Sequence, residues 1–173
     1  FTGHAIHALA EDPIIALEAG VTTEPLIVAK ALEDMPGEPG KIMCVAAQPT
    51  DREAFEALRV QLGGCLSVSG SHPRLLEIGR LGISKKTAIA TVAADLGMAA
   101  QDCAAAGDAE NDLEMLAWAG TAVTVENAVP EAKRLAHFVG PSCDEGGLAD
   151  AVAWLLQRQS TLAMADETGG RNG

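Results

Sequence analysis

The chain has 173 residues, of which 48% are hydrophobic and only 3% aromatic, with 12 Lys plus Arg against 24 Asp plus Glu for a formal charge of −12. That length supports one ordinary core or two small ones, and the apolar content rules out wholesale disorder. Such acidity disfavours binding to nucleic acid or to an anionic membrane surface, and five aromatic residues with no Tyr give base or sugar stacking little to build on.

The first third reads as helix and loop up to the stretch EDMPGEPGK, where Pro36, Gly37, Pro39 and Gly40 break any regular element. Lys41 to Ala47 is an apolar run of strand length. Asp51 to Leu62 places Phe55, Leu58 and Leu62 at helical spacing behind an acidic start. CLSVSG returns to alternation and RLLEIG gives another short apolar run, so residues 1–80 form an α+β pattern.

From Gly82 the texture changes. Ser84 can cap a helix over about Lys85 to Leu96, in which Ile89, Val92, Ala93 and Leu96 share a face, and Gly97 is placed to end it. CAAAG is a short buried segment leading into Asp108. Helix formers follow from Glu110 to Trp118, then TAVTV as a β-branched strand, a short helix from Pro130 to Ala136, and HFVG. Leu148, Val152 and Leu155 define a last amphipathic helix, and the tail 160–173 lacks a sustained pattern and is expected to be mobile. Strand alternating with helix across residues 81–159 predicts an α/β fold with a parallel sheet covered on both faces.

Cys44, Cys65, Cys103 and Cys143 form no C-x-x-C pair, which points to reduced, packed thiols and a cytoplasmic setting. No apolar run is long enough to cross a membrane, and the start FTGHAIHALAED has no signal-peptide pattern. The chain opens on Phe1 as though cut from something longer. His4 and His7 have the spacing of a metal pair but no accompanying carboxylate pattern, and His72 before Pro73 reads as a loop residue.

The chemistry concentrates in Gly107-Asp108-Ala109-Glu110-Asn111-Asp112, directly after an apolar run and before a helix. A loop leaving the C-terminal end of a parallel strand opens into the ligand crevice, so carboxylates there face a ligand. Asp108 is a hard oxygen ligand suited to Mg²⁺, and Asn111 could donate its amide to a phosphate oxygen. The competing reading of such a turn is a helix cap.

Around it stand, in order, Gly82-Ile83-Ser84-Lys85, then Glu126-Asn127-Ala128 with Lys133, and Ser142-Cys143-Asp144-Glu145-Gly146-Gly147-Leu148. This series resembles the C-terminal half of haloacid dehalogenase-like (HAD) phosphatases of the Cof type, subclass IIB, over residues 75 to 157, with a fainter likeness to that family's cap domain before it. The resemblance implies a HAD-like Rossmannoid parallel sheet in residues 81–159 with an α+β, substrate-selecting cap in residues 1–80. It implies that Lys85, rather than its neighbour Lys86, neutralises the substrate phosphate. Asp108 becomes the Mg²⁺ ligand, Asp112 the second carboxylate supporting the metal's water shell, Asn111 a phosphate contact, and Asn127 a weaker substrate-binding candidate.

The implied reaction is phosphoryl transfer from a small phosphorylated metabolite, such as a sugar phosphate, to an aspartate, followed by hydrolysis. That aspartate belongs to a D-x-D-G-T/S motif, which these 173 residues lack; the nearest string, Asp166-Glu167-Thr168-Gly169, has no second Asp. Cys143 also stands where the family usually has Asn. The alternative is a non-catalytic relative with a binding or assembly role. In the family the strand before Asp108 pairs with the strand bearing the nucleophile, so the resemblance also implies an open sheet edge here and self-association through it.

Overall fold

The computed structural model of the chain describes residues 4–48 and 52–169, the side chains of 162–169 excepted. The chain divides into two compact units, Phe1–Ile83 and Ser84–Gly173. Among the described residues no helix is long and apolar enough to cross a membrane.

In the first unit, β1 (Ile6–Ala8) and β2 (Leu26–Val28) pair in parallel on either side of helix α1 (Pro13–Thr22). The Asp12 carboxylate caps α1 by accepting from the Ile14 N–H at 2.8 Å. Both strands depart from the expected helix and loop; at three residues each they are too short to show a period. Strand β3 (Ile42–Val45), helix α2 (Arg52–Leu62), β4 (Leu66–His72) and β5 (Leu75–Arg80) follow where the sequence placed them. The antiparallel sheet has the order β3-β5-β4, so β5 is central, and its Leu75, Leu76 and Ile78 are buried.

In the second unit, helix α3 (Lys85–Asp95) starts at Ser84, whose hydroxyl accepts from the Thr87 N–H while the Thr87 hydroxyl accepts from the Ser84 N–H. Gly97, at φ +70°, turns the chain out of the helix in a conformation that side chains resist. Strands β6 (Ala104–Ala106), β7 (Thr121–Val125) and β8 (Phe138–Gly140) form a parallel sheet in that order. Between them run α4 (Leu113–Trp118) and α5 (Pro130–Leu135), and α6 (Gly147–Gly169) follows β8. The mixed helix and parallel sheet is the α/β class expected.

The core is built from small residues: Ala105, Ala119, Ala122, Ala128 and Ala132 pack with Leu116 and Val125. Central β7 is buried from Ala122 to Val125, as a strand covered on both faces must be. Helix α6 lies on β8, where Trp154 stacks on Phe138 with ring centroids 5.2 Å apart. It continues to Gly169, past the expected end near Gln159, so most of the expected mobile tail is helical; residues 170–173 lie outside the described ones.

Candidate active site

All three strands of the β6-β7-β8 sheet run the same way, so their C-terminal ends open to one side. The loops leaving β6, β7 and β8 and the first residue of α3 gather there. A cavity of about 320 Å³ is lined by Lys85 and Asp108, by Asp112 and Cys143, and by apolar groups of β6, β7 and α6. Parallel sheets place ligands in this crevice because helix starts and loop N–H groups converge on it.

Asp112 is the hub of the loop. It is 3% exposed. One carboxylate oxygen, Oδ2, accepts from the backbone N–H groups of Asp108 (3.0 Å) and Ala109 (3.1 Å), while Oδ1 takes the Lys85 ammonium at 2.5 Å. A carboxylate is stable at such depth only when its lone pairs are filled by donors and a cation. Gly107 is required beside it, because a Cβ there would collide with the Asp112 side chain. On the other side the buried Thr124 hydroxyl donates to the Gly107 carbonyl at 2.6 Å and ties the loop to β7.

Lys85 is held between two elements. A cation in the first turn of a helix opposes the macrodipole, and the Asp112 carboxylate offsets that conflict. The Asn111 side-chain oxygen accepts a longer bond from the same ammonium at 3.4 Å. The Ser84 hydroxyl donates to Glu114 at 2.8 Å, which fixes the start of α3 against the start of α4 and so sets the reach of Lys85. Lys86 is not among the cavity-lining residues.

The sequence-selected residues therefore separate. Lys85, Asp108 and Asp112 line one cavity, whereas Asn111 stands beside it and bonds to Lys85. Among the described residues, no hydrogen bond or ion pair reaches the exposed Asp108 carboxylate, which leaves it open to a hard cation. Both Asp112 oxygens are already engaged. No group of three or more His, Cys, Asp or Glu side chains positioned for a metal occurs among the described residues, His4 and His7 included. One open carboxylate beside a lysine nevertheless fits Mg²⁺, which usually takes one or two carboxylates and completes its shell with water and substrate phosphate.

Asn127, outside the cavity lining, turns its amide to the loop after β8: its oxygen accepts from the Cys143 N–H at 2.9 Å and from the Ser142 hydroxyl at 3.3 Å, and its Nδ2 donates to Cys143 Sγ at 3.1 Å. Cys143 itself is exposed rather than packed, as is Cys65. Cys44 and Cys103 are half-buried, and burial pushes the Cys44 thiol up. Sequence reasoning missed Thr124, Glu114 and the cavity position of Cys143. In the sequence Thr124 is one β-branched residue of TAVTV, and nothing in its spacing distinguishes a loop-anchoring hydroxyl from a strand filler.

A family model described as haloacid dehalogenase-like hydrolase matches residues 12–152. Among curated relatives, the stress response protein YhaX of Bacillus subtilis is 45% identical over 92 residues, covering 53% of this chain and 32% of that protein. The 5-amino-6-(5-phospho-D-ribitylamino)uracil phosphatase YcsE of the same organism is 35% identical over 92 residues, 53% of this chain and 37% of that one. The chain thus spans about a third of the length of these relatives. Among solved structures, a haloacid dehalogenase-like hydrolase from Bacteroides thetaiotaomicron superposes with a TM-score of 0.71 at 27% identity, over 90% of this chain and 59% of that one.

Proposed function

Because the chain belongs to the haloacid dehalogenase-like hydrolases, we propose that it carries the phosphate-gripping part of a Mg²⁺-dependent phosphomonoesterase acting on a small phosphorylated metabolite, a sugar phosphate being the type case. The observation that carries this reading is the cavity in which the Lys85 ammonium, pinned by buried Asp112, stands beside the open Asp108 carboxylate. Lys85 presents its charge to the phosphate oxygens, and Asn111 holds the ammonium from the side. Asp112 acts mainly by position: it shapes the 107–109 loop and fixes Lys85, and it borders the metal's water shell. When bound, Mg²⁺ on Asp108 would neutralise phosphate charge. The first unit would select the substrate, and the setting would be cytoplasmic.

A second reading, a non-catalytic HAD-fold protein used for binding or assembly, is favoured by one observation: the D-x-D-G-T/S string that would provide the nucleophile is absent from the sequence given. Asp166 to Gly169, the nearest string, falls where side chains lie outside the described residues. Mg²⁺ binding tests the donor set. With one open carboxylate, calorimetry on this chain should give millimolar affinity, about −4 kcal/mol; micromolar affinity would require a further carboxylate such as Asp144 to complete the site.

The same reading carries a proposal about association. Within its sheet β6 is an edge strand, as β8 is on the other side, with Ala104 and Ala106 exposed, and Leu148, Val152 and Leu156 form an exposed stripe along α6. An unpaired strand edge invites a further strand, and exposed apolar surface elsewhere on the unit adds to the tendency to associate. The isolated chain should self-associate, with sedimentation that shifts with concentration and fast amide exchange over residues 103–107. A monodisperse monomer with strong protection there would sink this expectation.

A further inference from the structure

Asn127 spends its amide on the chain rather than on the cavity. Its oxygen takes two donors and its nitrogen gives one, and all three partners lie in Ser142 and Cys143 of the loop after β8. The residue before it, Glu126, is tied to Lys133 at 2.7 Å, and the next, Ala128, is buried in the core, so Asn127 stands on a fixed base. The turn it holds is closed on itself, the Glu145 carboxylate accepting from the Ser142 N–H at 3.3 Å, and besides Asn127 it meets the end of β7 through the long Glu126 N–H to Pro141 carbonyl bond at 3.4 Å. Cys143, the residue held, lines the cavity with Lys85 and Asp108.

We propose that Asn127 is a positioning residue: its amide clasps the Ser142–Cys143 turn to the end of β7, so that Cys143 forms one wall of the cavity facing Lys85 and Asp108. A primary amide suits the task because it accepts and donates at once, so it can hold a backbone N–H, a hydroxyl and a sulfur together. Aspartate at this position could still accept from the Cys143 N–H and the Ser142 hydroxyl; alanine could do neither. The clasp rests on the reading of the cavity as a phosphoryl site only for its purpose, since the hydrogen bonds exist whatever occupies the cavity.

The test uses the full chain in three forms: unaltered, Asn127→Ala and Asn127→Asp. Amide exchange by NMR should quicken at Cys143 in Asn127→Ala by about fivefold, the fold-change of one hydrogen bond's net worth. The rest of the second unit should stay as it was, and Asn127→Asp should restore slow exchange. The second readout is alkylation of Cys143 by iodoacetamide with and without saturating inorganic phosphate, scored as the ratio of the two rates so that intrinsic thiol reactivity cancels. Phosphate should shield Cys143 in the unaltered chain and in Asn127→Asp, and fail to shield it in Asn127→Ala. Unchanged exchange in Asn127→Ala, equal quickening throughout the unit with no rescue by Asp, or clear shielding by phosphate to the same degree in all three forms would overturn the proposal. If phosphate shields Cys143 in none of them while exchange responds as expected, the clasp stands and the phosphoryl reading of the cavity falls.

Discussion

This chain alone should hydrolyse a generic phosphomonoester in the presence of Mg²⁺ no faster than background. Lys85, together with Mg²⁺ on Asp108, would position and neutralise a phosphate, yet a phosphoryl-enzyme route also needs a carboxylate to attack phosphorus, and no D-x-D-G-T/S string occurs in these 173 residues. Joined to a segment that carries such a motif, the chain should gain turnover, and its own residues then become testable. Lys85→Ala and Asp108→Ala should each lower kcat/KM by about 10²-fold or more, the scale of removing one preorganised charge-stabilising group. Lys86→Ala should cost a few-fold at most, because Lys86 stands off the cavity. Turnover by the unjoined chain that vanishes in Asp108→Ala would show that another group attacks phosphorus. A larger loss from Lys86→Ala than from Lys85→Ala would shift the assignment of the lysine by one residue.

What the sequence disclosed, and what it withheld, follows from range. Helix α3 was legible because its signals are local: the Ser84 cap and the Gly97 exit act within one or two turns, although of the apolar face read from the sequence only Ala93 is buried while Ile89, Val92 and Leu96 stand exposed. TAVTV and HFVG were legible for the same reason. The pair β1 and β2 was not, since three residues in register with three others, Ile6 with Leu26 through Ala8 with Val28, leave no periodic trace across so long a gap. The site divides in the same manner. Asp108, Asp112 and Lys85 stand in strings whose order is diagnostic, and the fold draws them to one cavity. Asn127 looked like a turn residue or a ligand contact, and its partners lie 15 and 16 residues on, across β8, where only the fold brings the two loops together. Glu114 joins Ser84 over 30 residues by the same kind of long-range closure.

Asp112→Ala should strongly destabilise the second unit. The side chain is 3% exposed and satisfies two backbone N–H groups and the Lys85 ammonium. Alanine would leave the Asp108 and Ala109 N–H groups without an acceptor and open a polar gap beneath Gly107, while Lys85 would lose the carboxylate that offsets its position in the first turn of α3. Lys85 is half-exposed and can turn to water, so its share is small. The two N–H groups cannot follow it out without unwinding the loop. Losing an ionised acceptor with two backbone donors should cost about 3 kcal/mol. Asp112→Asn should cost less, about 1–2 kcal/mol, because its amide oxygen can still accept from the two loop N–H groups, the remaining cost being an NH₂ donor set against the Lys85 ammonium. Urea unfolding of both variants, followed by far-UV circular dichroism, gives the comparison. Equal losses in Asn and Ala would mean that the negative charge rather than the acceptor geometry holds the loop, and a loss below 1 kcal/mol in Ala would mean that the 107–109 turn is held by its glycine and by Thr124 without the carboxylate.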